Sequence, residues 1–358
     1  MTEDFTSKSD AIPPQQRIAE SLLAIRSRDW KTALEHARQA AGRFEEVHDA
    51  QGLFQAAILL EKLGRVVEAT RLLSIAGRLQ SPCLLPEWAG GELPGKALVV
   101  VQRIRDIGAP IRQARAIAAA AGRFERCVVL ASERLVPLLR RSFPGVDVLS
   151  DEPARESALS AADVVASYET LVWRTCRDDA QLASSFRPLV SDPDQVSRFV
   201  DSYGGRARPR IGISWFSTNQ AKDVPPIDEW ARLMKQVDAT FVSLQYGDMN
   251  ADRALLQTSS GSALIHDEMV DQLRDMDRFA AQVAAMDVVV TISNTLAQLS
   301  GALGVRTIVI LDDKVHLIWP LQGEDCVWYP RTTLLHRMGR EWPAVFDQVQ
   351  ELLQGEAL

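Results

Sequence analysis

Residues 286–304 read MDVVVTISNTLAQLSGALG, and this stretch decides the fold of the chain. Val288–Ile292 is an unbroken, β-branched apolar run, which is typical of a strand buried on both faces. Ser293 and Asn294 suit the start of the helix that follows, a glycine closes it, and a second apolar run (TIVIL) comes next. The pattern predicts a strand–helix–strand unit. In such units ligands bind at the carboxyl end of the first strand, and a helix start there favours an anion such as a phosphate.

The composition is that of an ordinary globular protein. The 358 residues leave room for two or three domains, and the hydrophobic and charged contents are 46% and 24%. The net charge of −7 argues against nucleic acid as the main partner. No apolar run approaches the roughly 20 residues of a membrane span, although peripheral membrane contact stays open.

Targeting and metal motifs are missing from the sequence. The first ten residues are polar and acidic and lack the pattern of a signal peptide, so we expect a cytoplasmic protein. The four cysteines form no CxxC pair, which argues against zinc and redox motifs and predicts reduced thiols; they are Cys83, Cys127, Cys176 and Cys326.

The first quarter of the chain is predicted to be helical. Residues 1–14 look like a disordered lead-in, and residues 15–81 are alanine-rich with no strand pattern. Asp29-Trp-Lys-Thr-Ala-Leu and Arg65-Val-Val-Glu-Ala-Thr lie 36 positions apart (29 and 65), near the roughly 34 residues of a tetratricopeptide repeat. A plain helical bundle remains the alternative.

The rest of the chain alternates apolar strand patterns with helical ones. This alternation predicts two parallel α/β domains, residues 96–205 and 206–358, with a ligand cleft between them. Predicted strands in the first domain lie at 97–101, 127–131, 146–149 and 163–166; those in the second lie at 210–215, 240–245, 263–266, 288–292 and 307–311.

The second domain resembles a known family. In order and spacing, several pieces between Ile211 and Pro330 are similar to glycosyltransferase family 9, the ADP-heptose heptosyltransferase group, and to its bacterial members that begin with tetratricopeptide repeats. The pieces include IGISWFS at 211–217, FVSLQYG at 241–247 and SNTLAQLSGALG at 293–304. The resemblance implies a GT-B fold of two Rossmann-like domains, with a nucleotide-sugar donor held mainly by the second and with neither metal nor cofactor.

The resemblance also implies roles for individual residues. Lys222 matches a basic residue near the donor phosphate, and Trp319 matches a tryptophan that borders the donor pocket. A solvated loop lysine and a core tryptophan are the alternatives. The complete set expected at the donor is Ser217, Lys222, Gln245, Tyr246, Gly247, Ser293, Asn294, Thr295, Gln298 and Trp319.

Three positions depart from the family pattern. Ser293 and Gln298 stand where the family usually has an aspartate and a histidine, and a glutamine cannot carry a charge or a proton. The family's glycine-rich first loop is here QRIRDIGAP, residues 102–110. Its Asp106 is the candidate general base, and the alternative is an aspartate paired with a nearby arginine. Those arginines, Arg103, Arg105 and Arg112, could instead bind an acidic sugar or phosphate on the acceptor.

The functional expectation is a metal-independent glycosyltransferase that moves a sugar from a nucleotide sugar to a bacterial glycan or protein acceptor. Residues 15–80 would recruit the acceptor or a protein partner. Because of the three departures, a scaffold protein that has lost turnover is the main alternative. A nucleotide-sugar epimerase of the same architecture is a weaker one.

Overall fold

The structure is a computed structural model that describes residues 12–104, 106–205, 207–313 and 318–355. Four helices are followed by two parallel β-sheets with helices packed on them. Within these ranges, no helix is both long and apolar enough to cross a membrane. Most of the predicted lead-in lies outside the described residues, and Pro14 is already the first residue of a helix.

The helical region consists of two hairpins joined by short turns. Its helices are α1 Pro14–Arg26, α2 Trp30–Glu46, α3 Ala50–Lys62 and α4 Val66–Gln80. Arg28 and Gly64, again 36 positions apart, both adopt the left-handed backbone that ends the first helix of each hairpin. Ala33 and Ala69 are fully buried, as small residues between close helices should be. The assignment to tetratricopeptide repeats stays a prediction.

The first sheet has four parallel strands in the order β3–β2–β1–β4. Its strands are β1 Leu93–Val101, β2 Phe124–Ala131, β3 Asp147–Ser150 and β4 Val164–Ser167. The helices of this domain are α5 Gly108–Gln113, α6 Ile117–Ala121, α7 Val136–Ser142, α8 Asp151–Ser160, α9 Tyr168–Thr175, α10 Asp179–Ser184 and α11 Pro193–Ser202. Strand β1 is buried only from Leu98 onward, so the apolar core lies under the carboxyl half of the sheet.

The second sheet has six parallel strands in the order β10–β9–β8–β5–β6–β7. Its strands are β5 Arg210–Ser214, β6 Thr240–Ser243, β7 Leu264–Ile265, β8 Val288–Ile292, β9 Arg306–Leu311 and β10 Thr332–His336. The helices are α12 Ile227–Gln236, α13 Asn250–Ser260, α14 Met276–Ala284, α15 Thr295–Ala302 and α16 Trp342–Gly355. Every residue of β5 and β8 is buried, as expected of central strands in a parallel sheet that is covered on both faces.

The helical region contacts both sheet domains at one junction. The Glu61 side chain of α3 accepts a hydrogen bond from the Trp328 indole at 3.3 Å and lies 3.9 Å from the guanidinium of Arg112. The next residue, Lys62, accepts a backbone hydrogen bond from Leu321 at 2.9 Å. Since Trp328 and Leu321 follow β9 and Arg112 belongs to α5, three parts of the chain meet here.

Some elements differ from the sequence-based prediction. The alanine-rich stretch after β1 predicts one helix up to Gly122, but a 3-10 turn at Ala114–Ala116 interrupts it. Residues 178–208 are polar and predict mainly loop apart from a helix near 194–203, but they also contain α10. Neither α13 nor β10 was predicted. These are short or amphipathic elements whose burial comes from neighbours that are distant in sequence.

Candidate functional site

The candidate site lies where the strand order of the second sheet reverses. The chain builds β5, β6 and β7 in one direction, then returns to place β8 on the other side of β5. The loops that leave β5 and β8 therefore diverge and open a crevice at the carboxyl edge of the sheet. Ser214 and Ile292, the last residues of these strands, mark this point.

A chain of side-chain hydrogen bonds ties this crevice together. Asn294 caps α15, since its side-chain oxygen accepts from the backbone N–H of Ala297 at 3.3 Å. Its amide nitrogen donates to the Ser214 hydroxyl at 2.9 Å, and that hydroxyl donates to the Gln245 carbonyl oxygen at 2.8 Å. The start of α15 is thereby fixed to the ends of β5 and β6.

Gln245 organises the loop after β5. Its carbonyl oxygen also accepts from the backbone N–H groups of Trp215 and Phe216 at 2.9 and 2.8 Å, and its amide donates to the Tyr246 carbonyl at 3.0 Å. The side chain is only 1% exposed. Gln245 therefore holds the loop in place, whereas its direct contact with a donor stays a prediction.

The neighbouring predicted residues are more accessible. The Tyr246 hydroxyl accepts from the Thr218 N–H at 2.9 Å, so its ring closes over the loop that contains Ser217. Both Ser217 and Tyr246 are partly exposed. Gly247 is exposed and has φ +82°, a conformation that suits glycine because it has no Cβ.

Lys222 lies at the start of α15. Its ammonium donates a hydrogen bond to the backbone carbonyl of Ser293, and its side chain is half-buried. Burial lowers the pKa of Lys222, and the nearby Asp312 carboxylate opposes this effect. The structure therefore places a half-buried lysine beside the helix start, and its contact with a donor phosphate stays a prediction.

Trp319 lies in the protein core behind this turn. Its indole N–H donates to the Ser293 hydroxyl at 2.9 Å, and the ring packs beside Tyr329. Only 1% of Trp319 is exposed, and 7% of Ser293. These positions favour the core-packing alternative for Trp319, which supports the turn from below.

Asp106 lies at the start of α5 in the first domain. Its carboxylate accepts from the backbone N–H groups of Gly108 and Ala109 at 3.0 and 3.1 Å, and the residue is exposed. A Cβ on Gly108 would lie 3.3 Å from the Gln298 side chain and 3.5 Å from the Asp106 carboxylate. The absence of a side chain at Gly108 thus lets α5 approach α15 and brings Asp106 near the second domain.

Gln298 is enclosed at this interface. Its carbonyl oxygen accepts from the Tyr329 hydroxyl at 2.9 Å, its amide nitrogen is buried without a partner in the described part of the chain, and the residue is 3% exposed. Thr295, by contrast, is partly exposed at the first position of α15.

The predicted acceptor arginines have internal partners. Arg103 forms a bidentate pair with Glu87 at 2.9 and 2.8 Å, and its side chain is 3% exposed. Arg112 stacks on Trp328 at 5.2 Å and faces Glu61. Arg105 lies outside the described residues. Neither Arg103 nor Arg112 is paired with Asp106 in the structure, and their binding of an acidic acceptor stays a prediction.

Ser214 and Asp312 contribute to the site without having been predicted. Ser214 connects Asn294 with Gln245, and Asp312 accepts from the Asp223 N–H at 2.5 Å beside Lys222. Both directly end or follow a strand of the second sheet. Their place at the ends of strands was the sequence feature that could have identified them as site residues. In the described residues, no group of three or more His, Cys, Asp and Glu side chains is arranged to hold a metal.

Comparison with solved structures identifies the architecture. The chain superposes on the ADP-heptose LPS heptosyltransferase II of E. coli with a TM-score of 0.50 and 16% identity, covering 73% of this chain and 100% of that one. A glycosyltransferase family 9 structure from Veillonella parvula also gives 0.50, with 13% identity and coverage of 70% and 88%. The fold is therefore that of the GT-B heptosyltransferases, as predicted, preceded by a helical region.

Sequence comparison gives a relative of higher identity. Protein FlbA of Caulobacter vibrioides is 27% identical over 310 residues, which cover 77% of this chain and 50% of that protein. The chain thus spans about half the length of the curated relative it matches. No profile of a known protein family matches the chain.

Proposed function

We propose that this protein is a metal-independent glycosyltransferase that transfers a sugar from a nucleotide-sugar donor to a bacterial glycan or protein acceptor. The observation that carries the proposal is the convergence of the Lys222 ammonium and the start of α15 at the strand-order reversal of the second sheet. That place in a Rossmann-like sheet suits the diphosphate of a nucleotide.

The chemistry needs charge stabilisation on the leaving group. When the sugar–phosphate bond breaks, the nucleoside diphosphate gains negative charge. The first N–H groups of α15, at Thr295 and Leu296, have no acceptor inside the helix and can donate to a phosphate oxygen. Lys222 would turn from the Ser293 carbonyl to the same phosphate and supply a full positive charge. Tyr246 and Gly247 would border the nucleoside.

Asp106 would receive the proton of the acceptor hydroxyl while the oxygen of that hydroxyl forms its bond to the sugar carbon. Two backbone N–H groups fix the orientation of the carboxylate, and its exposed position leaves it accessible to an acceptor in the cleft. Its closeness to α15 is consistent with a base that acts on a donor held by the second domain.

A scaffold without turnover is the second candidate, favoured by the internal partners of the charged groups. The Lys222 ammonium binds a backbone carbonyl, Arg103 binds Glu87, and the buried Gln298 can transfer no proton. For such a scaffold, the crevice is a former donor site without activity, and the helical region binds a protein partner.

Thermal shift separates the two candidates. The purified protein is screened against nucleotide sugars and their nucleoside diphosphates, since a ligand present at 100 times its Kd stabilises the native state by about 2.7 kcal/mol. We expect a shift that Lys222→Ala abolishes and Lys235→Ala, on the exposed surface of α12, retains. No shift with any compound would support the scaffold.

Transfer itself is tested with Asp106→Asn. The asparagine can still accept a backbone N–H but cannot take a proton, so we expect transfer to the acceptor, or donor hydrolysis, to fall about 100-fold or more with donor affinity retained. Equal turnover in the wild type, Asp106→Asn and Lys222→Ala would eliminate both role assignments.

A further inference from the structure

A second, strongly basic cavity lies where the helical region meets the first sheet domain. It measures about 850 Å³ and is lined by parts of α2, α4 and the segment from α9 to α10, together with the turn before β2. Six arginines line it, against the three carboxylates of Glu68, Asp178 and Asp179. The arginines are Arg38, Arg65, Arg71, Arg123, Arg174 and Arg177. Such a concentration is unusual in a chain of net charge −7.

Only two of these arginines are neutralised by carboxylates. Arg38 forms a bidentate pair with Glu68 and Arg71 one with Glu45, each with contacts of 2.9 Å or less. In the described part of the chain, the other four have no carboxylate within 4.0 Å: Arg65, Arg123, Arg174 and Arg177.

The remaining carboxylates of the cavity are already used by backbone groups. Asp178 accepts from the Gln181 N–H at 2.8 Å and so caps α10, and Asp179 accepts from the Val67 N–H at 2.8 Å. Arg123 and Arg174 lie against the rings of Trp88 and Trp173 at 5.5 and 3.6 Å. These stacks orient the guanidinium groups but supply no carboxylate.

Two buried hydrogen-bond donors on the lining residues are also unsatisfied. The Trp173 indole nitrogen and the Arg174 Nε are buried with no partner among the described residues. Buried donors without partners are rare, and each is unfavourable for the folded state. Burial, and then the like charge of Arg78, lower the pKa of Arg174. An acceptor group in the cavity would relieve both effects.

From these observations we infer that the cavity binds a multivalent anion, with two or more carboxylate or phosphate groups. The planar guanidinium fork matches both groups in bidentate geometry. The volume exceeds what a single ion fills, and four arginines that lack a carboxylate partner, distributed over several elements, suit a ligand with several charges. The anion is an acidic peptide segment or a free oligophosphate, which share this chemistry.

The cavity is separate from the candidate glycosyltransferase site. Helix α9 begins after the carboxyl end of β4 and spans eight residues, about 12 Å, before it reaches Arg174 and Thr175. Arg123 directly precedes β2. The cavity therefore lies at the amino edge of the first sheet, opposite the edge that carries Asp106, and its ligand would not compete with a donor.

Fluorescence polarisation with a labelled hexaglutamate peptide tests the inference on the full chain. We expect binding that competing inorganic pyrophosphate reduces, that weakens as salt increases, and that a hexaglutamine peptide does not show. The variant Arg65→Gln/Arg177→Gln should weaken it at least tenfold. Both residues are exposed, so the variant should fold normally. Arg126→Gln, which removes an exposed pair with Asp147, is the matched control.

Some outcomes distinguish an acidic peptide from an oligophosphate as the ligand, and others contradict the proposed site. Tight binding of pyrophosphate with weak binding of hexaglutamate, lost in the same variant, identifies an oligophosphate site. Unchanged binding of both anions in Arg65→Gln/Arg177→Gln and in Arg174→Gln, equal binding of hexaglutamine, or no binding of either anion would overturn the inference.

Discussion

Lys62 offers the sharpest quantitative test of how the three parts of the chain fit together. It is the last residue of α3, only 2% of it is exposed, and its ammonium has no ion-pair partner within 4.0 Å among the described residues. Burial lowers the pKa of Lys62 to about 8, and the adjacent Glu61 carboxylate opposes this. The folded protein therefore binds the proton of this ammonium more weakly than the unfolded chain does.

The magnitude follows from proton linkage. A pKa that falls from 10.5 to about 8 on folding corresponds to about 3 kcal/mol of destabilisation while the lysine is protonated in both states. Below pH 8 the full penalty is present. Between about pH 8 and 10.5 the folded state releases the proton first, so the free energy of unfolding rises, and above 10.5 the penalty is gone.

Lys62→Met removes the charge and keeps the stem. The backbone hydrogen bond from Leu321 to residue 62 is unaffected, because it uses the main-chain carbonyl. At pH 7 we expect the free energy of unfolding to increase by up to about 3 kcal/mol, and the difference from the wild type to shrink as the pH rises from 8 to 10.5.

Urea denaturation followed by tryptophan fluorescence at pH 7, 9 and 10 measures this difference. Lys235→Met is the control, because Lys235 is exposed on α12 and should change stability little at any pH. A Lys62→Met protein that is no more stable at pH 7, or a stability difference that does not vary with pH, would refute the reasoning.

Three further predictions concern the contacts that shape the crevice. Gln245→Ala leaves the Trp215 and Phe216 N–H groups without their acceptor, and we expect a loss of about 2–4 kcal/mol in urea denaturation together with faster proteolysis of the loop. Asn294→Ala removes the α15 cap and should cost about 1 kcal/mol, whereas Asn294→Asp should retain much of it; equal losses would contradict a capping role. Glu87→Gln leaves Arg103 buried without its carboxylate, and we expect a loss of about 3 kcal/mol, which an unchanged melting temperature would exclude.

Most strands of the second sheet could be predicted closely from their own residues, although β10 could not. Val288–Ile292 occurs at the predicted bounds, since a β-branched run between an aspartate and a Ser-Asn pair permits few alternatives. Helix α13, in contrast, buries only Arg253, Leu256 and Ser260. One of these three residues is apolar, so the sequence shows no clear apolar face. Its existence depends on packing against α12, which no local pattern records.

The same distinction applies to the candidate site. The position of Asn294 at the helix start follows from the strand end that precedes it, whereas Lys222 was expected near this site only from the family resemblance. The hydrogen-bond and ion-pair partners of the site residues cannot be predicted in this way. Glu87 reaches Arg103 only because the backbone before β1 returns beside β4, and Trp319 is buried because the segment after β9 folds under the Ser293 turn. Such pairings depend on tertiary structure and could not be read from spacing.

The junction around Glu61 also affects how the protein can move and be divided. Proteins with two facing domains commonly close on a ligand by a hinge motion at the segment that joins the domains. Here Glu61 contacts Arg112 of one domain and Trp328 of the other. Such a motion must therefore either break one of these contacts or move the helical region together with one domain. A truncated chain without the helices would expose an indole and a guanidinium that are now enclosed. The helical region is therefore packed as a brace on both sheet domains rather than as a detachable module.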